Sequence, residues 1–194
     1  MIVAADEASV YLQSTVQVVW APVAQTPVVK VDPGRDNTHF YGALDLQTGK
    51  EIVMRATVMK AATSVLFLLK LVLAYPNQKI LLLWDRAPWH HGPAIRDFLN
   101  AHSNLEIFYF PPASPDLNPQ EHVWKDAREH VTHNHTMNKL DPLAALFEAH
   151  LTNNSFPCSL LELHDYHHIR AMFTCVVYKG CQLPSKKNGA QNAI

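Results

Sequence analysis

The chain has 194 residues, 48% of them hydrophobic, and a formal net charge of −1. That composition builds one globular domain with a sizeable core and excludes a disordered chain, while the charge balance argues against a free-standing, strongly basic nucleic-acid binder. No apolar run reaches the roughly 20 residues that a membrane helix needs; the first residues lack a basic signal region; and three cysteines without a CxxC pair fit a reducing, cytoplasmic compartment.

Ile2 to Ala5 reads as a buried strand that runs out at Asp6 and Glu7. Val16 to Val23 is a second apolar stretch, interrupted by Pro22, and Thr26 to Asn37, with Pro27, Pro33 and Gly34, reads as a loop. Tyr41 to Leu46 and Glu51 to Val58 flank Gln47-Thr48-Gly49-Lys50 and predict a β-hairpin. Ala61 to Ala74 suits a mostly buried helix. Lys79 to Trp84 is a short continuous apolar run, as expected of a central strand covered on both faces. Pro93 to Ala101 is helical, and Leu105 to Phe110 is a strand stopped by Pro111 and Pro112. A helix begins near Pro119, and Leu140 to Leu151 forms one more amphipathic helix. Pro184 to Ile194 reads as a frayed tail. A hairpin followed by alternating helix and strand predicts an α/β fold, a mixed sheet with helices packed on it.

Three carboxylates fall at element edges. Asp6 is expected to end the first strand, Asp85 follows the most apolar strand, and Glu121 opens a helix after a proline-rich turn. Sites in α/β sheets form outside the carboxyl ends of strands, and carboxylates are hard ligands suited to Mg²⁺ or Mn²⁺. Each acid also has a structural reading. Asp6 can be an ordinary strand-end acid and Asp85 a turn starter. Glu121 can complete a capping box with Asn118 at the N-cap and Pro119 at N1.

Trp84-Asp85-Arg86-Ala87-Pro88-Trp89-His90, followed by Phe110-Pro-Pro-Ala-Ser-Pro-Asp-Leu-Asn-Pro-Gln-Glu121-His-Val-Trp124, resembles the DDE transposases of the mariner-like superfamily, and most of all their bacterial insertion-sequence branch. Glu121 follows Asp85 with 35 residues between them, the interval this superfamily requires of its second and third acids. The resemblance spans roughly residues 2 to 135 and implies a ribonuclease-H-like fold with a catalytic and metal-binding triad of Asp6, Asp85 and Glu121. Glu7 alternates to the opposite strand face, so Asp6 is the matching first acid. Three departures stand out: Arg86 where the family often has Asn, Ala113 where it often has Tyr, and Gln120 where it often has an aliphatic residue.

The resemblance further implies two divalent cations, Mg²⁺ or Mn²⁺, and cleavage of DNA followed by strand transfer, with transposon ends and target DNA as partners. His90 and Arg86, with Lys125 and Arg128, are candidate DNA contacts; Lys139 is a further candidate. Only five residues precede Asp6, whereas the family carries helix-turn-helix domains there. End recognition is therefore expected from a helix-turn-helix subunit or an upstream frame product, with a homo-oligomer assembling during transposition at the bacterial nucleoid. A non-enzymatic alternative is an inactive truncated transposase that serves as a binding or dimerisation partner.

The expected layout is a catalytic domain at 1–137, a helical extension at 138–178 and a disordered tail at 179–194. His130, His133 and His135, then His164, His167 and His168, read as surface histidines, since their spacing matches no helical zinc pair. Trp84 and Trp124 are assigned to the core beside the site. Three clustered carboxylates repel one another, so Asp85→Asn is expected to raise the melting temperature of the metal-free protein.

Overall fold

The computed structural model of the chain describes residues 1–156, apart from 19, 26, 27, 29–33 and 113. Among the described residues, five strands form one mixed sheet: β1 (Ile2–Tyr11), β2 (Asn37–Asp45), β3 (Glu51–Ala56), β4 (Ile80–Trp84) and β5 (Leu105–Tyr109). Their order is β3-β2-β1-β4-β5. β2 is antiparallel to β1 and β3, while β4 is parallel to β1 and β5 to β4. Helices α1 (Ala61–Ala74) and α2 (Pro93–Ala101) provide the crossovers that this parallel half requires.

Both faces of the sheet are covered, and β1 alternates between them. Val3 and Ala5 join Tyr41, Phe67, Leu71, Leu82 and Trp84 in the core under α1 and α2. Ile2, Ala4, Ala8 and Val10 join Phe40, Trp124, Phe147 and Leu151 on the other face, under α3 (Gln120–Ala127) and α4 (Leu140–Asn153). A strand apolar on both faces reads as a continuous run, which is why β1 and β4 stand out in the sequence. The expected hairpin, helices and central strand are present. Trp84 and Trp124 are fully buried, as assigned.

Two expectations are corrected. β1 does not end at Asp6; it pairs with β2 as far as Tyr11 opposite Asn37, because Ala8 and Val10 continue the inward alternation. α1 is not mostly buried. It packs one face, through Ser64, Phe67, Leu68 and Leu71, and leaves Leu66 and Leu73 exposed, since a single sheet offers only one side to bury against. In the apolar stretch from Val16 to Val23, Val16, Val18 and Val23 are exposed. The tail at 179–194, residues 157–178 of the extension, and all three cysteines lie outside the described residues.

Gly42 in β2 lies opposite Asp6 and makes room for α3. A Cβ there would overlap Glu51 Oε1 and come within 2.5 Å of Trp124 Cη2 and 2.6 Å of Gln120 Nε2. Gly42→Ala is therefore expected to cost about 1–3 kcal/mol through overpacking. Urea unfolding of the variant measures this; unchanged stability would mean that α3 sits further from the sheet than described.

Candidate active site

β1 and β4 pair with Ile2 opposite Leu81, Val3 opposite Leu82 and Ala4 opposite Leu83. Two residues further on, the same register sets Asp6 beside Asp85, just past the end of β4. Asp6 thus marks the point where the neighbouring parallel strand stops, not the end of its own. Alternation directs both acids toward the α3 face, where Leu81 and Leu83 also pack.

Glu121 reaches the same place through the helix start. Asn118 is buried, and its Nδ2 donates to the Ala5 carbonyl at 3.2 Å, tying the beginning of α3 to β1 next to Asp6. Its Oδ1 accepts from the Gln120 N–H at 3.1 Å, which is the N-cap bond expected of it. The reciprocal half of a capping box is missing: the Asn118 N–H donates to the Pro115 carbonyl, and Glu121 turns to the cavity. Asp6, Asp85 and Glu121 line one open cavity of about 370 Å³ together with Arg86, Phe110 and Asn118.

Gln120, the residue before Glu121, is wholly buried and donates from Nε2 to Glu51 Oε1 at 2.6 Å. Burial drives the Glu51 carboxyl well above its ordinary pKa, with the Gln120 hydrogen bond opposing. A neutral acid is a compatible partner for a buried amide. The departure at Gln120 is thereby matched by a polar partner on β3.

Asp6 and Asp85 shift in opposite directions. Asp6 is pushed up to about 8, first by burial and then by the charges of Glu121, Glu7 and Asp85. Asp85 is lowered: burial opposes its charge, but the His90 hydrogen bond, the Ala87 N–H at 3.0 Å and the His90 charge prevail. The expectation that Asp85→Asn would relieve repulsion is therefore corrected. His90 favours the charge of Asp85, whereas burial and the neighbouring acids disfavour that of Asp6.

His90 Nδ1 lies 2.6 Å from Asp85 Oδ1 and its Nε2 lies 2.8 Å from Glu7 Oε1. The ring stacks on Trp84 at 3.6 Å, and Trp89 Nε1 donates to the second Glu7 oxygen at 3.3 Å. Burial opposes the imidazolium, yet the two carboxylates raise its pKa to about 9. The sequence expectation of a DNA contact at His90 is corrected, since the residue has no exposed surface and both ring nitrogens are engaged. Alternation excludes Glu7 from the triad, and the sequence does not show its partnership with His90. The only sequence signal is that opposite-face position.

Because the folded pKa of His90 lies above its unfolded 6.5, the pairing stabilises fully below pH 6.5, and that contribution is lost as pH rises through 9. Glu7→Gln is expected to lower the His90 pKa and to cost about 1.5–3 kcal/mol at pH 6. Imidazole NMR titration and denaturation at pH 6 and pH 10 check this; a His90 pKa that does not move would show that Asp85 alone sets it.

Arg86 is exposed at the cavity. Its Nε–H donates to the Phe110 carbonyl at 3.0 Å, and its guanidinium carbon lies 5.8 Å from the centre of the Tyr109 ring. Lys125 and Arg128 do not line the cavity; Lys125 faces solvent, 4.0 Å from Glu129. Lys139 is exposed at the start of α4. The cavity therefore presents three carboxylates and one guanidinium. This all-oxygen donor set fits hard divalent cations such as Mg²⁺ or Mn²⁺.

Residues 1–144 match the family model of the DDE superfamily endonucleases. The Shigella sonnei protein of 39 kDa from insertion element IS630 is 26% identical over 132 residues, covering 67% of this chain and 38% of its own length. The chain spans less than half the length of the curated relatives it matches. Among solved structures, the Mos1 strand transfer complex superposes with a TM-score of 0.66 at 18% identity, covering 94% of this chain and 56% of that one. The mariner Mos1 paired-end complex with Mg gives 0.64 at 17% identity, covering 94% and 56%. These likenesses show the fold, a ribonuclease-H-like sheet flanked by helices.

Proposed function

The chain belongs to the DDE superfamily of endonucleases, and from that premise we propose that it is the metal-dependent catalytic domain of a DNA transposase. The observation that carries the reading is the meeting of Asp6, Asp85 and Glu121, from three separate elements, on one open cavity. The likeness to an insertion-element protein and to mariner structures supports transposition as the use of that chemistry. DNA at transposon ends and at the target is the proposed substrate, and no helix among the described residues is long and apolar enough to cross a membrane. A homo-oligomer, a helix-turn-helix partner for end recognition and a place at the bacterial nucleoid belong to the same proposal.

Water attacks the scissile phosphorus, the P–O3′ bond breaks, and a 3′-hydroxyl is freed at the element end. That hydroxyl then attacks a target phosphorus and displaces a target 3′-oxygen. Asp6, Asp85 and Glu121 would hold two divalent cations, which would supply Lewis-acid stabilisation of the attacking and leaving oxygens. Asp85 presents its carboxylate in one orientation, because the Ala87 N–H and His90 both hold Oδ1. Asn118 sets Glu121 against Asp6 through the Ala5 carbonyl. Asp6 would ligate as the carboxylate, and so would give up its proton on binding a cation. Arg86, braced by the Phe110 carbonyl, meets a backbone phosphate at the rim.

The test is cleavage of supercoiled plasmid and of end-sequence DNA by the chain, with Mg²⁺, Mn²⁺ or chelator. Cleavage that needs the cation supports the proposal. DNA binding without cation-dependent cleavage under any condition would favour the non-enzymatic partner instead.

A further inference from the structure

A second group of metal-ligating side chains stands apart from the cavity. Asp126 lies in α3, His130 follows it by one turn in the π-helical segment Arg128–Thr132, and His150 comes from α4. His150 Nε2 is 2.8 Å from Asp126 Oδ2, and His130 Nδ1 is 3.5 Å from Asp126 Oδ1. The two imidazoles stack with centroids 5.1 Å apart. One ligand atom from each of the three residues falls within 4.8 Å of the others.

The geometry points to a Zn²⁺ site formed by Asp126, His130 and His150. Two imidazole nitrogens and one carboxylate oxygen are the donor set of a borderline transition ion, in contrast to the hard all-oxygen set of the triad. Zn²⁺ bonds of about 2.0–2.2 Å need donors spaced a little over 3 Å apart. The carboxylate-to-imidazole spacings of 2.8 and 3.5 Å bracket that value. His150 is 17% exposed and held by its helix. His130 is 60% exposed, and its Nδ1 lies 2.8 Å from the Asp126 backbone carbonyl, a contact the ring exchanges for the ion; the open side of the site leaves a position for water.

Two neutral imidazoles and one carboxylate sum to a single negative charge, which a divalent ion reverses. Without the ion, the Asp126–His150 pair is the contact these residues make between α3 and α4. With the ion, three ligands bind α4 to the helix whose first turn carries Glu121. Asp126 and His130 at i, i+4 share a helix face; the third ligand comes from 20 residues further on. The sequence assignment of His130 to a plain surface role lacked that third partner.

The experiment strips the full chain with chelator, restores it with Zn²⁺ in excess Mg²⁺, and measures bound zinc per chain and the melting temperature. One equivalent of zinc and a rise of roughly 5–10 °C are expected at saturating ion. His130→Ala and His150→Ala are expected to lose both, whereas Asp85→Asn keeps them. His130→Ala removes an exposed side chain and folds independently of the site, so it decides the matter if His150→Ala does not fold. Zinc retained at full stoichiometry in His130→Ala, or lost in Asp85→Asn, would overturn the site, as would a wild-type chain that binds none.

Discussion

Glu121→Gln is expected to reduce cation-dependent DNA cleavage by about 10³-fold or more, with the melting temperature of the metal-free protein nearly unchanged. The loss follows from removing one charged ligand from a site whose cations stabilise the transition state by several kcal/mol, each 1.36 kcal/mol being tenfold in rate. The unchanged stability follows from the helix start. Asn118 Oδ1 caps α3, and Asn118 Nδ2 anchors it to Ala5, so Glu121 carries no cap bond of its own. The substitution therefore separates two roles that the sequence leaves superposed. A capping role predicts a stability loss of about 0.5–2 kcal/mol with activity largely kept; a ligand role predicts the reverse. Cleavage assays and thermal melts on the same preparation decide between them. Retained cleavage would remove Glu121 from the triad.

Asp6→Asn is expected to stabilise the metal-free protein at pH 8 and to abolish most of the stabilisation given by Mg²⁺. The folded pKa of Asp6, about 8, lies far above its ordinary 3.8 because burial and the neighbouring acids disfavour its charge. The unfolded chain therefore ionises first. Stability is fully present below about pH 4 and falls as pH rises toward 8. A shift of that size corresponds to at most about 6 kcal/mol, less where the acids share one proton. Asparagine cannot ionise, so the fall disappears. Mg²⁺ binds the folded site of the wild type alone and offsets the penalty; the variant lacks both penalty and ligand. Melting curves between pH 5 and pH 9, with and without Mg²⁺, provide the measurement. A lower melting temperature for the variant at pH 8, with the Mg²⁺ shift intact, would refute the assignment. Asp85→Asn should behave oppositely, since it leaves the buried His90 imidazolium without one of its two carboxylates.

Much of the architecture was legible in the residues. The continuous apolar runs of β1 and β4, the hairpin turn and the proline stops gave the mixed sheet, because burial on both faces and backbone restriction are local signals. The acids were legible by type and interval, and the Asn118 cap by its place before Pro119. What the tertiary structure alone decided is pairing across distance. The parallel register of β1 against β4 sets Asp6 beside Asp85 and makes Asp6, not Asp85, the strained acid. His90 reads as an exposed, DNA-facing residue until the fold buries it between Glu7 and Asp85. Asp126 and His130 gain a third ligand only when α4 returns across α3. Periodicity, propensity and capping act over a few residues and are written in order along the chain. Charge compensation and ligand sets depend on groups tens of residues apart, and their energies exist only once packing has excluded water from between them.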